Sequence, residues 1–282
     1  MIPEHSVVVG VDGSRESLQA VVWAAADASR RGRPLHIAHT FTRLPVYAPI
    51  AAQALAQLER GMHEAANAII SEASERAQAV APGVRLTTSI QIESPAQPLL
   101  RASERADTLV VGNRGRGGFA GLLLGSVSIE LAAHASCPVV IVREADRPPG
   151  SEAGRVVIGV DGSHDADRAL QFAFEQASYR GIGLTAVLAY DPDLPSHRDD
   201  LEDLERRTLA ESTAGWTGKY PDVDFRQDLV RGGAAERLTE RSAGAELLVV
   251  GSRGRGGFRG LLLGSVSQIA IQHAACPVAV VR

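Results

Sequence analysis

Lysine is nearly missing from this chain of 282 residues: Lys219 is the only one, and arginine supplies the rest of the Lys+Arg total. Chemistry that depends on a lysine amine therefore has a single candidate. Cysteine is almost as scarce, and Cys137 and Cys276 offer neither metal-ligand spacing nor a disulfide framework. No run approaches the ~18 consecutive apolar residues of a membrane span. The opening MIPEHSVVVGVDGS lacks the basic and long apolar regions of a secretory leader, so the chain reads as cytoplasmic. A formal net charge of −4 shows no general attraction to nucleic acid or to acidic membrane surfaces.

What the sequence does contain is a duplication. The stretch TLVVGNRGRGGFAGLLLGSVSIELAAHASCPVVIVR, from Thr108 to Arg143, recurs from Leu247 to Arg282 as LLVVGSRGRGGFRGLLLGSVSQIAIQHAACPVAVVR. Roughly 25 of the 36 aligned positions match, far more than chance allows. A second marker opens each half: VVVGVDGS ending at Ser14, and VVIGVDGS ending at Ser163. Two markers in one order define two homologous domains, 1–145 and 155–282. Residues 146–154 form the linker, inside the charged Pro/Gly/Ser-rich stretch READRPPGSEAGR.

Each repeat alternates strand and helix. Short apolar runs predict strands at 6–11, 34–40, 84–91, 108–111 and 138–142. Helices are predicted from Ser14, a good N-cap, to about Arg31 before Gly32, and over 51–80, 95–105 and 126–135. The second repeat predicts strands near 156–160, 183–190, 223–230, 247–250 and 277–281. Such alternation implies βαβ crossovers and a largely parallel sheet with helices on both faces. Ligands of such sheets bind beyond the carboxyl ends of the strands, where strand order reverses.

Both glycine-rich loops fall at such a place. After the fourth strand come Gly112, Asn113, Arg114, Gly115, Arg116, Gly117 and Gly118, then Gly125, Ser126 and Val127 at the start of a helix. The second repeat has Gly251, Ser252, Arg253, Gly254, Arg255, Gly256 and Gly257, then Gly264, Ser265 and Val266. Glycines let the backbone turn sharply or approach a ligand closely. Helix N-termini and successive amides attract anions, and Arg116 or Arg255 adds charge, so each loop makes a polyphosphate cradle. A dinucleotide fold would carry its glycines after the first strand, and a P-loop needs a lysine beside them; neither pattern fits.

The spacing G-x2-G-x9-G-S, with V-D-G-S before it and CPVVIV or CPVAVV after it, resembles the ATP-binding branch of the universal stress protein family. The resemblance covers both halves. It implies two tandem Rossmann-like α/β domains, each a five-stranded parallel sheet of order 3-2-1-4-5, often paired through the last strand. It implies ATP, with Mg²⁺ accompanying the phosphates, on the two loops. Asp12 and Asp161 are then the nucleoside-side carboxylates, Gly10 and Gly159 the points of close approach, and Asp191 a border of the nucleoside at the end of the second strand. The implied role is nucleotide-dependent regulation, through an unidentified protein partner and a homodimer, with hydrolysis at most slow. The alternative is a slow ATPase or a nucleotidyl or phosphoryl transferase.

Other features read as structural. Both cysteines precede proline beside apolar strands and read as buried thiols. His134 and His273 sit where they stabilise helix ends. His39, at a strand end, has the better functional case. The acidic run over 199–205 reads as a solvated helix face. Each apolar last strand sits at a predicted sheet edge, which is normally covered or paired, so the two can pair with each other.

Overall fold

The computed structural model describes residues 2–42, 52–116, 124–143, 150–163, 166–191, 201–255 and 262–282. The elements of the first repeat run β1 (Ser6–Val11), α1 (Arg15–Arg30), β2 (Leu35–Phe41), α2 (Ala52–Val80), β3 (Leu86–Ile92), α3 (Ala96–Ser103), β4 (Ala106–Gly112), α4 (Ser126–His134) and β5 (Val139–Val142). The second repeat runs β6 (Val156–Gly159), α5 (Ala166–Arg180), β7 (Leu184–Tyr190), α6 (Leu201–Thr213), α7 (Trp216–Lys219), β8 (Phe225–Arg231), α8 (Ala234–Arg241), β9 (Leu247–Gly251), α9 (Ser265–His273) and β10 (Val278–Val281). The alternation predicted from hydrophobic pattern is present throughout, with ends displaced by one or two residues.

Local chemistry sets these boundaries. Ser14 caps α1 by accepting a hydrogen bond from Ser17 N at 3.2 Å. Gly32, at φ +62°, takes the left-handed turn that ends it. The second repeat breaks its long crossover helix at Gly215, φ +80°, where the first repeat continues α2 unbroken. Val7, Val8 and Val9 are fully buried, as are Val156, Val157 and Ile158, which is why both first strands read as apolar runs rather than alternations.

The chain divides into two compact units: Met1–Leu131 with Ala135–Cys137, and Ala132–His134 with Pro138–Arg282. In the first, the strands lie in the order β3-β2-β1-β4, with every pairing parallel. In the second, the order is β5-β10-β9-β6-β7-β8. Its β8-β7-β6-β9-β10 portion is the parallel 3-2-1-4-5 sheet expected. The last strand of the first repeat belongs to the second unit, where Ile141 pairs antiparallel with Val278 and Val139 with Val280. The apolar edge of β10 is thereby covered. Arg282 Nη1 donates to Ala133 O at 2.5 Å, and Arg143 Nη1 to Gln272 O at 2.9 Å.

Two polar features inside the fold differ between the repeats. On β2, His36 is buried, with Nδ1 2.8 Å from Thr87 Oγ1 and Nε2 2.9 Å from Ser89 Oγ. Burial pushes its pKa down to about 4. In the second repeat the corresponding position, the second residue of β7, is Thr185, which donates to Glu152 at 2.6 Å and accepts from Arg155 at 3.0 Å. Residues 150–154, placed in the linker on sequence, pack onto the second unit: Gly150 N donates to Ala243 O, Gly154 N to Gly244 O, and Glu152 is buried.

Candidate functional site

Strand order reverses beside β1 in the first unit and beside β6 in the second, and both V-D-G turns and both glycine loops start there. In the first repeat Asp12 ties the two together. Its Oδ1 accepts from Ser14 N at 3.0 Å and Ser14 Oγ at 2.6 Å, while Oδ2 accepts from Arg116 N at 2.6 Å. Burial pushes this carboxyl's pKa up, but the bonds from Ser14, Arg116 and Ser17 outweigh it, and the net shift is downward. Asp161 repeats the latch, accepting from Ser163 N at 2.9 Å and Arg255 N at 2.8 Å.

The glycines have separate causes. A Cβ on Gly254 would lie 2.5 Å from Asp161 Oδ2, and one on Gly115 would collide with Asp12 Oδ2. Those two glycines therefore let the carboxylate reach the loop backbone. Gly112 is needed by the fold: its Cβ would meet the Glu16 carbonyl carbon of α1 at 2.7 Å. Gly10 and Gly159 make room for leucines, since their Cβ atoms would lie 2.8 Å from Leu99 Cδ1 and 2.6 Å from Leu238 Cδ1. The family resemblance makes these two the points of close approach to a ligand, and Gly159 also borders the cavity of the second repeat; the packing partner could not be read locally.

Each loop closes onto a helix whose first amides carry no side-chain cap. Gly125 and Gly264 are the N-caps of α4 and α9, neither with a side-chain bond. Gly125 N donates to Asn113 O at 2.9 Å, and Gly264 N to Ser252 O at 2.8 Å. Ser128 and Ser267 hold the start of the loop from the next turn, donating to Gly112 O at 2.9 Å and Ser252 O at 3.1 Å. The first-turn positions Ser126 and Val127, and Ser265 and Val266, thus lie at a glycine-capped helix end suited to an anion.

In the second repeat these residues border a cavity of about 570 Å³. Gly159, Asp161, Gly251, Arg253, Gly254, Arg255, Gly264, Ser265 and Val266 all line it, joined by Ser163. Its other wall is apolar, from Ala166, Ala169, Val187, Ala189, Ala234 and Leu238. That is the volume and mixed lining of a small-molecule site. Ser252 is buried beneath the loop, its carbonyl occupied by Gly264 and Ser267, and Asp191 lies beyond β7 outside the lining. Gly117, Gly118, Gly256 and Gly257 lie outside the described residues.

A model of the Universal stress protein family matches residues 4–143 and 152–282. The chain belongs to the universal stress protein family. A universal stress protein of Mycolicibacterium smegmatis is 39% identical over 291 residues, covering 99% of this chain and 97% of that protein. One from Mycobacterium tuberculosis is 38% identical over 292 residues, covering 98% and 96%. The crystal structure of a universal stress protein from Archaeoglobus fulgidus superposes with a TM-score of 0.72 at 22% identity, covering 98% of each chain, and so shares the fold.

Other residues of this universal stress protein singled out by the sequence also find their places. His39 is buried, its Nδ1 2.7 Å from Val11 O, and its ring lies 6.0 Å from that of Phe41, which meets His63 of α2 edge-on. Both cysteines are buried, and burial pushes each thiol up to about 12. The acidic run is more than a solvated face. Glu202 accepts from the Tyr190 hydroxyl at 2.8 Å, and Glu205, its side chain 14% exposed, pairs with Arg255 at 3.2 Å. Sequence reasoning missed Glu205 because fifty positions separate it from its partner and no motif marks it.

Proposed function

We propose that this universal stress protein binds ATP, one nucleotide per repeat, and acts as a nucleotide-dependent regulator of a protein partner. The observation that carries the reading is the cavity of the second repeat: an apolar wall sized for a base on one side, and a glycine loop, two arginines and an uncapped helix end on the other. Mg²⁺ would arrive with the phosphates. It needs only one or two protein oxygens beside theirs, and Asp161 and Ser265, both among the lining residues, carry such oxygens. Binding rather than rapid turnover fits a site whose aspartate is engaged as a backbone latch, in a loop motif where no His, Glu or Lys recurs.

The test is calorimetry of the intact chain with ATP and AMP, with mass analysis of nucleotide released on denaturation. Two bound nucleotides per chain, ATP held more tightly than AMP, is the expected result; no binding of either sinks the proposal. Gly115→Ala and Gly254→Ala should each weaken one site by about tenfold with the fold retained, because the new methyl displaces the aspartate that holds the loop.

A further inference from the structure

The arginine that closes each latch offers a close comparison between the repeats. Arg116 and Arg255 both donate a backbone N–H to the aspartate and lay the guanidinium over the glycine of the V-D-G turn. A Cβ on Gly13 would lie 3.4 Å from Arg116 Nη1, and one on Gly162 would collide with Arg255 Nη2. The helices beside them correspond as well. The same Cβ atoms would meet Ile69 of α2 at 2.9 Å and Thr208 of α6 at 2.5 Å. Further along, Ser74 Oγ donates to Ile70 O as Thr213 Oγ1 donates to Leu209 O, both at 2.7 Å.

In that register, one helical turn before Ile69 stands Ala66, and one turn before Thr208 stands Glu205. Ala66 is 1% exposed, and among the described residues no carboxylate pairs with Arg116. Glu205 receives Arg255 Nη1 on both oxygens at 3.2 Å. The Arg255 side chain is still 44% exposed, so a nucleotide can reach it.

We propose that Glu205 is a specificity-determining residue that makes the two sites unequal: the first distinguishes ATP from AMP strongly, the second weakly. The proposal rests on the reading that both sites bind nucleotide. A guanidinium already neutralised by a carboxylate offers an outer phosphate less attraction, because the carboxylate repels the phosphate and its bond must be exchanged. AMP, whose single phosphate lies nearest the nucleoside, loses little. The second site therefore favours the triphosphate over the monophosphate by less than the first does.

The experiment is calorimetry of the full chain with Mg·ATP and with AMP, for wild type, E205A and E205Q. E205A installs the residue of the first repeat; E205Q keeps the shape and removes the charge. Thermal melts confirm that both variants fold. Wild type should show two classes of ATP site, and both variants should tighten the weaker class by about five- to tenfold while AMP changes less than about twofold. ATP affinities unchanged in folded variants overturn the role of Glu205 and leave nucleotide binding standing. Tightening of AMP in step with ATP overturns the discrimination, as does a single class of equal ATP sites in wild type. Failure of wild type to bind any nucleotide overturns the reading of the sites, and the proposal with it.

Discussion

Asp12 and Asp161 sit at the same place in two copies of one motif, and their surroundings diverge within a few ångströms. Asp12 accepts three hydrogen bonds that include the Ser14 hydroxyl, and the arginine above it meets no carboxylate among the described residues. Asp161 accepts two backbone bonds, and its arginine is paired with Glu205. Beneath the loop, a Cβ on Gly112 would meet α1 backbone at Glu16, and among the described residues one on Gly251 would meet Arg253 O of its own loop, at 3.0 Å. A duplicated motif thus keeps its spacing while the residues that brace it change. The loop's backbone path needs glycine and a latch; the charge on the helix beside its arginine is free to vary.

The largest expected effect tests the bracing. Gly112→Ala places a methyl against Glu16 backbone, which has no side-chain freedom to yield, and should cost about 3 kcal/mol in urea unfolding. Gly251→Ala, whose methyl would meet Arg253 O among the described residues, should cost about 1 kcal/mol, since that carbonyl lies in its own loop and can shift. Equal losses would break the contrast.

Acid should also separate the repeats. His36 titrates near 4 when folded, below the 6.5 of an ordinary imidazole. The unfolded chain therefore takes up the proton first as pH falls. Stability is full above about 6.5 and declines through the window down to about 4, by about 3 kcal/mol. His36→Thr, which copies Thr185, should flatten that slope even if it lowers stability at neutral pH; an unchanged slope in pH-dependent melts would assign it elsewhere.

The smallest effect concerns the latches. Asp12→Asn should cost about 1 kcal/mol and Asp161→Asn about half of that, because Asp12 makes one more bond. The folded pKa of Asp12 is depressed, so its contribution is present above the ordinary value of 3.8 and lost as pH falls through the lower folded one. The acid limb of the Asp12→Asn melt should accordingly be shallower than that of wild type.

Much of this could be read before folding. The duplication, the apolar strands, the Ser14 cap, the Gly32 stop and the loop-to-helix spacing are all local or periodic signals, and a chain expresses such signals within a few residues. They were enough to place both loops at the carboxyl ends of β1 and β4, and of β6 and β9, where the second repeat has its cavity. The reasons behind individual residues were not local. Gly10 and Gly159 answer to Leu99 and Leu238 on later helices, and Gly112 to the backbone of Glu16. Glu205 looks like any solvent-facing glutamate until α6 brings it to Arg255. Strand β5 ends one repeat in sequence yet belongs to the second compact unit, because its apolar edge finds β10. Sequence alone determined the two α/β repeats and where their loops open, since hydrophobic periodicity and backbone conformation are short-range. Tertiary structure decided which side chains meet there, because packing and charge pairing depend on distance in space.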